Sequence, residues 1–211
     1  MKTDHLIAAL VADRAEPSRS PFLRLLLALM GGILLSLAVF LALLGPRTDF
    51  MPAIATWRFD FKILLMLVTA VSAFGLCRDM GRPGAPSGSS RRLLLPLTAI
   101  LIALGVECAT VPSLLWGVRL VGTNSLICLT AIPLLSLAPL AMALWAMRQG
   151  APTSPILAGA SAGLLAAASG ATLYALHCFD DSPLFVATWY SLAGAFVTAV
   201  GAFLGHRLLR W

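Results

Sequence analysis

Six apolar stretches, each long enough to cross a bilayer, constrain this chain more than any other feature. They cover residues 22–44, 59–77, 93–111, 126–147, 155–176 and 184–205, and about 20 residues suffice to cross the hydrocarbon core as a helix. A segment in lipid must satisfy its backbone polar groups internally, which makes each stretch a helix. Only 11% of the 211 residues are charged, against about 25% in a soluble domain. Too little polar surface remains to coat a soluble globule. The expected fold is therefore all-α: an integral membrane bundle of six transmembrane helices over residues 22–211, preceded by an arm over residues 1–21. The first stretch has no small-x-small cleavage site and follows a polar arm, so it reads as a span and not as a signal peptide.

Lys and Arg set the orientation. Eleven of the 15 lie on one side of the alternating spans, among them Arg14, Arg19, Arg78, Arg82, Arg91, Arg92 and Arg207; Arg47, Arg58, Lys62 and Arg119 lie on the other. The positive-inside rule places both termini in the cytoplasm of a bacterial inner membrane. The net charge of +6 is thereby topogenic. No aromatic-interleaved basic patch offers direct nucleic-acid binding.

The fifth span is rich in Ala, Gly and Ser, with Gly159 and Gly163 four apart; Gly201 and Gly205 repeat that spacing in the sixth. Small residues let helices approach closely in lipid, so spans five and six are expected to pack together. Pro96, Pro133 and Pro139 fall inside spans and are expected to kink or loosen them. Ionisable residues within a span are expensive. Asp60, Lys62 and Glu107 all lie near outer span ends, where snorkelling to the interface is expected. None sits at a midplane, and no inverted repeat is evident, which weighs against an ion-coupled transporter.

Three of the four cysteines, Cys108, Cys128 and Cys178, fall near the outer boundary, where thiols tend to oxidise; Cys77 ends span two on the cytoplasmic side. Cys178 lies within "LHCFDDSPLFVATWY", between spans five and six. His177 and Cys178, joined by Cys128, form a candidate soft site for a transient thiophilic metal ion, and the same thiols are candidates for oxidation. The bland alternative is a structural thiol beside a hydrated acidic loop. No C-x-x-C, H-E-x-x-H, phosphate loop or Ser/His/Asp arrangement is present, so no enzyme and no resident cofactor are expected.

The arm places Leu6, Ile7, Leu10 and Val11 on one helical face between the cap Thr3 and the breaker Pro17. A helix this short is marginal alone. Its stripe calls for a partner's groove or for membrane lipid.

The opening "MKTDHLIAALVADRAEP", the six spans, "LHCFDDSPLFVATWY" and the ending "LGHRLLRW" resemble the NrsF-type bacterial membrane anti-sigma factors. The resemblance covers nearly the whole chain. It implies sequestration of an extracytoplasmic-function sigma factor by the N-terminal segment, and its release on metal or oxidative stress sensed by an outer cysteine pair. Those cysteines map onto Cys178 in "LHC" and Cys128 in "LICLTAIP"; Cys108 is an extra thiol. The other class of reading is a small inner-membrane transporter or thiol-redox enzyme.

Overall fold

A computed structural model describes residues 3, 5, 7, 20–82, 84 and 88–210. Six helical segments are long and apolar enough to cross a membrane: α1 (Pro21–Leu43), α2 (Trp57–Met80), α3 (Ser89–Thr110), α4 (Ser125–Met147), α5 (Pro155–Ala175) and α6 (Pro183–Leu208). No strand occurs among the described residues. The six spans follow the sequence expectation to within a few residues. Thr3, His5 and Ile7 are helical and exposed; Leu6, Leu10 and Val11 of the arm's apolar stripe lie outside the described residues.

Three helix starts share one local device. Ser20–Pro21, Ser154–Pro155 and Ser182–Pro183 each place a serine at the N-cap and a proline at the first helical position, and the serine oxygens accept from the amides of Leu23, Leu157 and Leu184 at 3.2, 3.4 and 3.3 Å. The serine satisfies one orphan donor, and the proline forfeits an amide that had no partner in the first turn.

α5 is the central helix, with 72% of its most apolar stretch buried against 17% for α3. The α5–α6 seam is a backbone contact. A Cβ on Gly163 would stand 2.7 Å from the Val197 carbonyl oxygen, and one on Gly205 would stand 2.5 Å from the Gly159 Cα. The packing expected of these glycines is what the fold uses.

α4 runs as one helix through Pro133 and Pro139. Pro139 has no amide for the carbonyl of Leu135, one turn earlier. The Ser36 hydroxyl of α1 donates to that carbonyl at 2.6 Å. Gly32, one turn before Ser36, lets α1 approach, because a Cβ there would lie 2.7 Å from the Pro139 Cα. The proline thus becomes a docking point between α1 and α4. Pro96 lies in the first turn of the α-helical part of α3, just after a 3-10 turn over Ser89–Leu93, where a missing amide costs little.

The three loops α1–α2, α3–α4 and α5–α6 meet at one end of the bundle, called here the loop end. Two short helices, Phe50–Ile54 and Trp116–Val121, lie in these connections. At the opposite end, Asp79 of α2 accepts from Arg92 of α3 at 2.6 Å.

Candidate functional site: a buried thiol pair beneath an ion-pair lattice

The segment that follows α5 is clamped by ion pairs. Asp181 accepts from Lys62 at 2.5 Å and from Arg47 at 2.8 Å. The same two cations donate to the Cys178 carbonyl, at 2.8 and 3.2 Å. Lys62 is 0% exposed and Arg47 is buried. The expected snorkelling of Lys62 is therefore overturned. Its ammonium turns inward because Asp181 and a carbonyl replace the water it gives up, as a buried charge requires. Arg47 also forks onto Asp49 at 2.6 and 2.7 Å, and its guanidinium lies over the rings of Phe179 and Phe59 at 4.9 and 5.4 Å. The hydrogen bonds from Arg47 hold the Asp49 carboxyl below the usual carboxylate range, and those to Asp49 hold the guanidinium above its own.

Asp180 faces the other way. Its carboxylate accepts from the backbone amides of Thr123 and Asn124 at 3.0 and 2.8 Å and from the Asn124 side chain at 2.9 Å. This places a negative charge at the N-terminus of α4, where the helix dipole favours it. Gly122 precedes that turn with φ +59°, and a Cβ on it would come within 2.6 Å of Phe185 and 2.7 Å of Asp180. Both conformation and space demand glycine there. The two adjacent aspartates, which the bland alternative left in a hydrated acidic loop, each hold a separate helix junction.

Glu107 is likewise corrected. It is 0% exposed and accepts from Arg58 at 2.8 Å, from Arg119 at 2.7 Å and from the Ser182 hydroxyl at 3.1 Å. Ser182 therefore caps α6 and ties it to α3 with one oxygen. Asp60 is exposed, as snorkelling requires.

Cys128 and Cys178 lie together beneath this lattice, in one buried cluster with Tyr174, Phe185 and Tyr190. Both are 0% exposed, so Cys178 is not open to the compartment beyond the loop end as its loop position suggested. Its thiol donates to the Asp180 carbonyl at 3.7 Å. Burial pushes the Cys178 thiol above its ordinary range, against the pull of nearby Lys62. Both cysteines are unbridged. The other two thiols stand apart from this cluster. Cys108 is half-buried, and Cys77 contacts the Met147 sulfur at 3.2 Å near the far end of the bundle.

His177, adjacent to Cys178, turns to α1: its Nδ1 lies 3.0 Å from the Gly45 carbonyl. The Arg47 amide donates to Leu176 at 3.0 Å. With the Arg47 guanidinium on the Cys178 carbonyl and on Asp181, the thiol segment thus bonds the chain immediately beyond α1 in four ways. Among the described residues, no three His, Cys, Asp or Glu side chains gather in a metal-binding arrangement. A thiophilic ion would need a third donor, either from outside or from His177 released from Gly45.

The sequence profile described as "NrsF: Negative regulator of sigma F" matches residues 10–211. The chain is 35% identical to the anti-sigma-F factor NrsF of Caulobacter vibrioides (strain NA1000 / CB15N), over the full length of both. It is 33% identical, again over the full length of both, to the probable anti-sigma-F factor NrsF of Azospira oryzae (strain ATCC BAA-33 / DSM 13638 / PS). No solved structure matches.

Proposed function

The chain belongs to the NrsF family of negative regulators of sigma F, and from that premise we propose that it is an anti-sigma factor of the bacterial inner membrane. Both termini face the cytoplasm. The arm holds an extracytoplasmic-function sigma factor on the stripe of Leu6, Ile7, Leu10 and Val11. Oxidation, or a thiophilic metal, joining Cys128 to Cys178 frees it. The observation that carries this reading is that Cys128 of α4 shares one buried cluster with Cys178, whose segment is bonded to the chain just beyond α1. Joining the sulfurs draws the Cys178 segment toward α4. Arg47, Lys62 and Gly45 then lose or shift their bonds to it. α1 leads directly back to the arm, so a change in its seating alters how the arm is presented. Release requires only that the joined form favour a different bundle state.

The test uses the full chain in lipid nanodiscs with the cognate sigma factor bound. Leu10→Asp is expected to weaken binding at least tenfold, since a buried Leu contributes about 1.5–3 kcal/mol and about 1.4 kcal/mol is a factor of ten. Cys128→Ser and Cys178→Ser are each expected to abolish oxidant- or metal-driven release, and the double variant to be no worse than either. Cys77→Ser is expected to leave release intact. Unchanged release in the Cys128/Cys178 double variant would remove the mechanism.

A further inference from the structure

Two grooves between the helices differ in kind. One, of about 570 Å³, follows α6 from the π-helical turn over Val186–Tyr190 to Ala202, and no charged side chain lines it among the described residues. Such a groove accepts the acyl chains of any lipid and selects none. The other, of about 480 Å³, opens between α1, α2 and α3 at the end opposite the loop end. Arg78 of α2 and Arg91 and Arg92 of α3 stand at its head, and apolar side chains line the rest. From Arg78 to Val71, α2 descends seven residues, roughly 10 Å at about 1.5 Å per residue. The groove therefore leads from the interface into the hydrocarbon. Val71 and Leu95, two of its apolar walls, are 73% and 63% exposed, so its lower part is open to lipid. Phe22 of α1 closes it by packing edge-on against Phe74 at 5.7 Å.

The positive-inside rule asks only for basic residues somewhere in a connection. These arginines converge from two helices and are held in place. Arg92 donates to Asp79 at 2.6 Å, and its stem lies across Gly75, where a Cβ would come within 3.1 Å of Nη1 and 3.2 Å of Cδ. The Ser89 hydroxyl donates to the same carboxylate oxygen at 3.0 Å, and Arg78 Nε stands 3.5 Å from the other. Asp79 thus offsets one of three positive charges. No carboxylate lines the groove among the described residues. The Arg78 and Arg92 side chains remain 41% and 42% exposed, and Arg91 is exposed as well. Donors are left over for an anion, and a guanidinium pairs a phosphate through two parallel hydrogen bonds.

We propose that this groove is a binding site for one anionic phospholipid, its phosphate held by Arg78, Arg91 and Arg92 and an acyl chain laid over Val71 and Phe74. Basic pockets between membrane helices bind such headgroups. The occupant is a lipid and not a free anion, because the greater part of the groove is apolar and faces the hydrocarbon. A soluble acidic partner would have to enter the bilayer to fill it. The site uses neither the thiols nor a sigma factor, so its test is separate from that of the anti-sigma reading.

The full chain, stripped of lipid in a mild detergent, is mixed with phosphatidylglycerol or with phosphatidylcholine of the same acyl chains. Native mass spectrometry counts the lipids retained per chain. One retained phosphatidylglycerol is expected, bound about tenfold more tightly than phosphatidylcholine. Arg78→Gln with Arg91→Gln leaves the Arg92–Asp79 pair in place, and is expected to erase that preference. Arg148→Gln with Arg207→Gln removes the same charge from the ends of α4 and α6, outside the groove, and is expected to bind as the wild type does. Val71→Trp crowds the groove from a lipid-facing position without touching a charge, and is expected to weaken retention of phosphatidylglycerol; it carries the test if the first double variant fails to fold. Equal retention of the two lipids by the wild type, or equal loss in both arginine double variants, would overturn the proposal. So would displacement of phosphatidylglycerol by inorganic phosphate, which would leave an anion site only.

Discussion

α5 and α3 are both transmembrane helices of ordinary length, yet the protein holds them in opposite ways. α5 meets α6 through glycines, with backbone against backbone and no charge at the seam. α3 touches the bundle at two ionic clamps and leaves a groove between them. Lipid supplies no hydrophobic force to drive helices together, so association rests on close packing or on polar bonds. Packing of small residues has no second arrangement at low cost. Ion pairs can exchange partners. The contrast divides the molecule into a fixed spine, α5–α6, and elements tied to it by bonds that can be rearranged.

The largest effect should come from the spine. A Cβ at Gly201 would stand 2.5 Å from the Gly159 carbonyl oxygen and 2.7 Å from the Gly163 Cα. Gly201→Leu is therefore expected to cost about 3 kcal/mol, the upper end for overpacking because the clash is with backbone, read as loss of the folded species on thermal unfolding in detergent. A stable variant would show that the seam is not the spine.

The polar joint between the α5–α6 loop and α1–α2 should come next. Asp181→Asn leaves Lys62, fully buried, facing a neutral acceptor in place of its counter-charge, at a cost of about 1.5–3 kcal/mol. Pairing with Arg47 is lost as well. The variant is expected to remain folded and to expose Cys178 to maleimide far faster than the wild type does.

The smallest of the three concerns α3. Glu107→Gln removes the charge facing Arg58 and Arg119, each of which is about a third exposed and can turn to water. The expected loss is about 1 kcal/mol, with cross-linking between α3 and α6 becoming less specific. A cost equal to that of Gly201→Leu would erase the distinction between spine and tethered helix.

The spine was legible in the sequence and the joints were not. Hydropathy marks the six spans, and the spacing of Gly159, Gly163, Gly201 and Gly205 identifies which two pack. The gathering of Cys128 and Cys178 follows from an antiparallel α4–α5 pair. The joining contacts resist such reading because Arg58–Glu107, Lys62–Asp181 and Arg47–Asp181 pair residues 49, 119 and 134 apart, and periodicity carries no information about such distances. Asp180 and Asp181 read as a solvated turn, since two adjacent carboxylates before a proline make one wherever no cation comes to meet them. The missing signal for Lys62 was its depth, five residues into α2, too far in to reach water comfortably. Pro139 announced an orphan carbonyl at Leu135, but only the packing of α1 identifies Ser36 as its donor.

The π-helical turn over Val186–Tyr190 has a consequence for the length of the chain itself. Such a turn is an α-helix that has absorbed one extra residue. An insertion elsewhere in α6 would swing everything beyond it by about 100° and carry Gly201 and Gly205 off α5. Absorbed as a bulge, the extra residue leaves both flanks in phase, with Phe185 against Gly122 and the glycines on the spine. A chain shortened by one residue within this turn would keep its cap and its seam, and would lose only the position from which Tyr190 reaches the thiols. Length at this point is a free variable for the fold and a fixed one for the site.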